Sequence, residues 1–420
     1  MDYIGEKELK NKLDDFKNHL ENADRMILSA KFGEGKSFFL QQVREDVDRF
    51  SDYEFITIYP VNYVVAPNED IFEYIKRDIL IQLAKLDLLS GIDLERLITS
   101  IFSFENFKEV ISFLFSCIPG GNICSKLLDK ATEISQKYEE QKNTYEKYFK
   151  TFEVQKGGLY EDDAYTQMIK EALCVLKNGY NEGGKDNPKK KPVLIIEDLD
   201  RLDPAHLFRI LNVISAHIDD CSKPDKVGNK FGFSNIVIVM DYDTTQHVFE
   251  HFYGKEASYT GYMSKFLTEE PFRYRFAELA LPKKKKKITQ EVGISKDFFD
   301  VFTILNLKLS KLSMRDIVRL YDLDPSIKIY SPTISTNYGK LSTLLPIFKL
   351  LIYMTELGMS CRDIDEDLTL RTKYSADYLK LLFPLLLIDE VEIPEMYDFE
   401  NNFIEVVLKM EKNIIVRIDT

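Results

Sequence analysis

Cysteine and histidine are scarce, five of each in 420 residues. Cys117, Cys124, Cys174, Cys221 and Cys361 are odd in number and scattered, which argues against a disulfide-stapled scaffold and for a reducing, cytoplasmic compartment. Cys117 and Cys124 flank a Gly-Gly turn without a second pair, and His247 and His251 are spaced i, i+4 without the acid of a zinc-protease helix. Metal-ligand spacing is therefore lacking. Long hydrophobic runs are lacking too. The nearest, Val110–Pro119, ends in Pro-Gly-Gly and is about half the ~20 residues that span a bilayer, so integral membrane insertion is not expected. Met1–Leu20 is charged and amphipathic rather than a signal peptide. An excess of positive charge is also missing: 56 Lys and Arg stand against 69 Asp and Glu, a net charge of −13. That excludes a surface coated in non-specific nucleic-acid contacts and leaves nucleic acid as a partner only through local patches such as Lys283–Lys287 and Lys189–Lys191.

What is present is ordinary globular material, 45% apolar and 30% charged, and at roughly 150 residues per domain the length predicts two or three domains. Leu9, Leu13, Phe16 and Leu20 recur at helical spacing. Met26-Ile27-Leu28 is a short apolar run, followed by a glycine-rich turn and helical periodicity over Ser37–Phe50. Phe55–Tyr59 is β-branched and aromatic and is closed by Pro60, as a strand is. Glu69–Leu89 and Glu161–Leu176 predict helices, as does the charged Leu94–Tyr148 block, which has no strand signal and reads as a helical insertion. Asn178–Lys191 predicts a loop. Val193–Ile196 and Ile236–Met240 are uninterrupted apolar runs of the kind buried on both faces of a parallel sheet. After the lysine run the pattern is predominantly helical from Ser295 to about Lys412. The expected fold is α/β: a three-layer core with a parallel sheet over residues 1–282, a helical insertion at about 94–160, and a C-terminal mainly helical domain over 283–420.

Two motifs carry chemistry. Ala30-Lys31-Phe32-Gly33-Glu34-Gly35-Lys36-Ser37 has the spacing of a phosphate-binding loop, with Ala at the usual first glycine, between a strand and a helix. Glycines let backbone N–H groups turn inward to cradle phosphates at a helix start, whose dipole favours anions. Lys31 to Phe38 would line the phosphates, Lys36 would reach the β- and γ-phosphates, and the Ser37 hydroxyl would sit on Mg²⁺. The second motif is the strand Val193–Ile196 delivering Glu197-Asp198-Leu199-Asp200-Arg201. Acids at the carboxyl end of a buried strand face the ligand crevice of an open α/β sheet. One of Glu197 and Asp198 would hold the Mg²⁺ shell while the other polarises the attacking water. ATP is the default nucleotide, because no guanine-reading motif stands where one would be expected.

The string Ile195–Pro204 resembles the extended acid-bearing segment of the KAP family of P-loop NTPases, in which a pair of acids is followed by Leu-Asp-Arg; Glu197 here replaces the usual first Asp. Ile58–Tyr63, Ile236–Asp243 with Tyr262–Phe266, and Leu312–Ile317 are similar to further segments of that family, so the resemblance covers roughly residues 1–330. It implies that Asp241 or Asp243 orients the attacking water and that Arg315 reaches the γ-phosphate. Arg201 would pair with an acid or act across a subunit interface, and Arg273 and Arg275 would be candidate fingers acting on a neighbouring subunit's nucleotide. It also implies an ATPase that switches assembly or a protein effector in bacterial anti-phage defence. A DNA-loading ATPase and a nucleotide-gated module with little hydrolysis are the alternatives.

Overall fold

The computed structural model describes residues 3–64, 67–93, 97, 104–117, 128–129, 132, 162–182, 185–217, 229–323, 333–336, 339–342 and 346–369. The chain divides into two compact units, Leu13–Tyr274 and, together, Met1–Lys12 with Arg275–Thr420. In the first unit the strands are β1 Arg25–Ser29, β2 Tyr53–Ile58, β3 Tyr180–Glu182, β4 Lys185–Asn187, β5 Lys191–Ile196, β6 Asn235–Met240 and β7 Phe272–Arg273. Five of them form one sheet in the order β2-β5-β6-β1-β7, and every pairing in it is parallel.

The apolar runs explain the centre of that sheet. Every residue of β6 is buried, as are the last five of β5 and the last four of β1. Successive side chains point to opposite faces, so both faces of the central strands are covered, and this is why the runs show no alternation. Asn235 is the one polar side chain in β6. Its Nδ2 donates to Leu20 O at 2.7 Å and Ala23 O at 2.9 Å, closing the end of helix Glu6–Asn22.

Helix Lys36–Glu45 is anchored by aromatic packing. The Phe39 ring lies 5.4 Å from Phe16 and 4.5 Å from Tyr274, and Phe16 lies 5.2 Å from Phe272. Phe16 and Phe39 are completely buried, each contributing about 1.5–3 kcal/mol by burial alone. The helical periodicity over Ser37–Phe50 is interrupted at Asp46. Its side chain accepts from Arg49 N at 3.1 Å and starts a separate short helix, Val47–Phe50. The expected loop at Asn178–Lys191 instead contains the antiparallel pair β3–β4. Of the helical insertion, Phe104–Cys117 is a helix; the rest lies largely outside the described residues.

In the second unit the described helices are Phe276–Val292, Lys296–Asp300, Thr303–Ser310, Met314–Tyr321, Pro346–Glu356 and Cys361–Thr369. An antiparallel hairpin, β8 Thr333–Thr336 with β9 Gly339–Ser342, interrupts the expected helical run. Leu-rich Tyr378–Leu387 lies outside the described residues.

The domain boundary was expected at Lys283–Lys287. The lysines lie inside helix Phe276–Val292, and the division falls before Arg275. Lys284 shares the inward helix face with Ile288, both completely buried. Its Nζ donates to Leu320 O at 2.6 Å, while Lys287 Nζ donates to Tyr321 O at 2.8 Å. Two ammonium groups thus cap the carbonyl end of helix Met314–Tyr321, where cations are favoured. The Lys284 head also lies 4.9 Å from the Tyr353 ring centre.

Burial, reinforced by the Lys287 charge, pushes the Lys284 ammonium down to about 8. In the unfolded chain a lysine holds its proton to about 10.4. Between those two values the unfolded state binds more protons, so folding stability rises with pH there; below the window it is independent of pH through this group, and the cost of burying the charge is fully present. Urea midpoints of wild type should climb relative to Lys284→Met from pH 8 to pH 10. Parallel midpoint curves for the two proteins would show that Lys284 is not titrating as the fold dictates.

Candidate functional site

The loop after β1 is held by hydrogen bonds at its base. Ser29 O accepts from Tyr274 N at 2.8 Å, Ser29 Oγ from Tyr242 N at 3.2 Å, and Ala30 N donates to Met240 O at 3.2 Å. Gly33 and Gly35 then adopt φ of 83° and 81°, a region that L side chains rarely enter. A Cβ on Gly33 would meet nothing within 4 Å, so its backbone conformation, not crowding, calls for glycine. Gly35 is the left-handed N-cap of helix Lys36–Glu45, with no side-chain cap and no acid in the first turn. The first turn of that helix thus carries no acid of its own, an arrangement suited to an anion.

Lys36 is buried beneath the loop. Its Nζ donates to Ala30 O at 2.9 Å and to Lys31 O at 3.4 Å, and pairs with the Asp200 carboxylate. Around it, Glu34 is buried and Phe38 half-buried, whereas Lys31, Phe32 and Ser37 are exposed.

The acids arrive from β5. Ile58 and Ile196 are paired in register, and Glu197 N donates to Ile58 O at 3.0 Å. The Glu197 side chain is buried, with Arg44 Nη2 3.8 Å from its carboxylate; the same Arg44 nitrogen donates to Thr57 Oγ1 at 2.7 Å. Nearby Tyr59 has its hydroxyl pushed above the usual tyrosine range by burial and by the Glu197 charge. Asp198 takes the left-handed conformation, φ 61°, and opens the tight turn Leu199–Arg201. Arg201 Nε lies 3.1 Å from its carboxylate, as the sequence led us to expect. Burial nevertheless raises the Asp198 pKa above the usual carboxylate range, with Arg201 opposing the shift and Glu197 adding to it.

The structure brings the loop, Lys36 and the acid string to one end of the sheet, with Asp200 rather than Glu197 or Asp198 on the lysine. Strand alternation could not reveal this. The left-handed turn at Asp198 ends the alternation, and the tight turn after it sets where residue 200 points.

Asp241 follows β6 at the same end of the sheet, and most of the remaining expected site residues have partners of their own. Asp241 caps helix Tyr242–Tyr253, accepting from Thr244 N at 3.1 Å and Thr244 Oγ1 at 2.6 Å. Asp243 forms a two-armed pair with Arg273, at 2.6 and 3.1 Å, whose hydrogen bonding holds its carboxyl below the usual range. Arg275 and Arg315 belong to the other unit. Arg275 donates to Ser310 O at 2.6 Å, and Arg315 is exposed in the first turn of helix Met314–Tyr321, beside a Ser313–Asp316 capping box. Lys190 pairs with Glu54 at 2.7 Å. Among the described residues, no group of three or more His, Cys, Asp or Glu side chains is arranged to hold a metal ion, and no helix is long and apolar enough to cross a membrane. Compared with known proteins, the chain matches no family model, and no curated protein matches it.

Proposed function

We propose that Leu13–Tyr274 is a three-layer P-loop NTPase core that binds ATP with Mg²⁺ and hydrolyses it. The observation that carries this is the convergence of an uncapped, glycine-turned helix start, a buried lysine and three acids at the carboxyl end of one parallel sheet. The donor set fits a polyphosphate. The N–H groups of the loop and first turn, together with Lys36, supply positive charge that the protein otherwise leaves to a single carboxylate. Ser37 and Glu197 would hold Mg²⁺, which supplies charge neutralisation on the phosphates when bound. Asp198, whose carboxyl favours its proton more than an ordinary aspartate, would take the proton from the attacking water. Lys36 orients the phosphates, and the covered sheet faces exclude water from beneath them.

The acid string and the loop together support a place near the KAP family, and with it a role as a switch acting on a protein effector or on self-assembly. A DNA-loading function is the less favoured reading, because Lys284 is buried, Lys287 is engaged with a carbonyl and Lys285 lies 3.5 Å from Asp300. Three of the five lysines are thus engaged within their own unit, leaving the half-exposed Lys283 and the exposed Lys286 to meet a phosphate backbone. The deciding measurement is ATP hydrolysis and ATP binding by the full chain with Mg²⁺, with and without DNA. Turnover indifferent to DNA is the expected result. Turnover strongly stimulated by DNA and falling steeply with salt would replace the switch with a loader. Failure to bind ATP would overturn the nucleotide reading.

A further inference from the structure

The three acids of the 197–200 string each face a different cation. Glu197 faces Arg44 from helix Lys36–Glu45, Asp198 faces Arg201 of its own turn, and Asp200 pairs with Lys36. Only the last of these pairings involves the cation that the phosphates themselves would require. The Lys36 and Asp200 side chains are 9% and 10% exposed, so this is a nearly buried pair, and two enclosed groups cannot both change partner without a substitute charge being supplied. The second anion that can reach Lys36 is a phosphate lying in the loop, where the helix start carries no acid of its own.

We propose that Asp200 is the resident counter-ion of Lys36, displaced when nucleotide phosphate enters, and that Asp200 thereby makes nucleotide binding depend on Mg²⁺. The inference rests on the nucleotide reading above and adds a residue and a regulation to it. With Asp200 ionised, a metal-free nucleotide brings a large negative charge to a loop in which the lysine is already neutralised. Entry then breaks the Lys36–Asp200 pair and leaves the carboxylate enclosed beside the phosphates. A divalent cation bound with the nucleotide would supply the missing positive charge and offset the repulsion from the released carboxylate. Asp200 acts here by repulsion and release through its pairing with Lys36, so it is a gating residue rather than a catalytic one.

The test is the ATP dissociation constant of wild type and Asp200→Asn, each measured with excess Mg²⁺ and again with a chelator. Asparagine keeps the shape and an acceptor oxygen while removing the charge. The expected result is that metal-free ATP binds Asp200→Asn about tenfold more tightly than wild type, a difference of about 1.4 kcal/mol, while the affinity gained from Mg²⁺ shrinks correspondingly. Because the substitution leaves an enclosed ammonium without its carboxylate, the variant should melt earlier without ligand and recover more than wild type when ATP is added. Should Asp200→Asn fail to fold, Asp200→Ser, with a smaller hydroxyl acceptor, carries the same comparison. Wild type binding ATP with Mg²⁺ while neither variant changes the metal-free constant overturns this proposal and leaves the nucleotide reading standing. Wild type binding no ATP in either medium overturns both.

Discussion

Lys36→Ala is expected to weaken ATP binding about a hundredfold or more. Hydrogen bonds to charged groups contribute about 1.5–3 kcal/mol each, and Lys36 is the buried cation beneath the loop, so losing its contact with the phosphates removes the larger part of the site's attraction. The same substitution has a folding consequence. It strands the Asp200 carboxylate in a nearly enclosed position, and breaking one partner of a buried pair costs about 3–5 kcal/mol. Affinity and melting temperature must therefore be read together. Adding Asp200→Asn to Lys36→Ala should restore much of the stability without restoring the affinity, because the stranded charge is gone but the phosphates still lack their cation. Isothermal titration on folded protein decides the matter. Undiminished affinity in Lys36→Ala would place the nucleotide elsewhere.

Asp198→Asn is expected to abolish most turnover while leaving ATP binding nearly intact. General-base assistance contributes typically 10²–10⁴-fold, and an amide cannot accept the proton. Asp198 sits at φ 61°, a conformation that asparagine tolerates as well as aspartate does, so the fold should be undisturbed. Its raised pKa gives a signed pH dependence. The carboxylate is the active form, so kcat/KM, which reports the free protein, should fall as pH drops, and the limb should begin at higher pH than for an unperturbed aspartate. Glu197→Gln should behave differently. Glu197 is buried and faces Arg44, so its amide should raise the Mg²⁺ requirement and lower turnover less than Asp198→Asn does. Single-turnover hydrolysis across a Mg²⁺ series separates the two. Equal, undiminished turnover in both variants would remove the acid string from the mechanism.

Much of the first unit was legible because its elements announce themselves locally. β5 and β6 are uninterrupted apolar runs, and a strand buried on both faces has little else it can be made of. The loop was legible because positive φ at Gly33 and Gly35 demands glycine, and because Lys36 and Ser37 follow at the spacing that phosphate chemistry needs. Helix boundaries set by side-chain caps were harder to see. Asp46 divides one periodic stretch into two helices by accepting a single backbone N–H, an event with no signature in hydrophobic spacing.

What the chain's order of residues determined alone was therefore the α/β class, the buried strands, the glycine-turned loop with its lysine and the acids that follow β5. What only the tertiary structure decided was which charge meets which. Five consecutive lysines look like a solvated linker, yet helical geometry turns Lys284 inward onto Leu320 O. The resemblance offers Asp241 or Asp243 as a water-orienting acid, and the structure gives the first a helix to cap and the second Arg273 to hold. Asp200 looks like part of a surface turn, yet the left-handed bend at Asp198 delivers it to Lys36. Hydrophobic patterning is a local property that a sequence displays directly. The pairing of charges depends on distances across the fold, and those exist only once the sheet has set its strands in order.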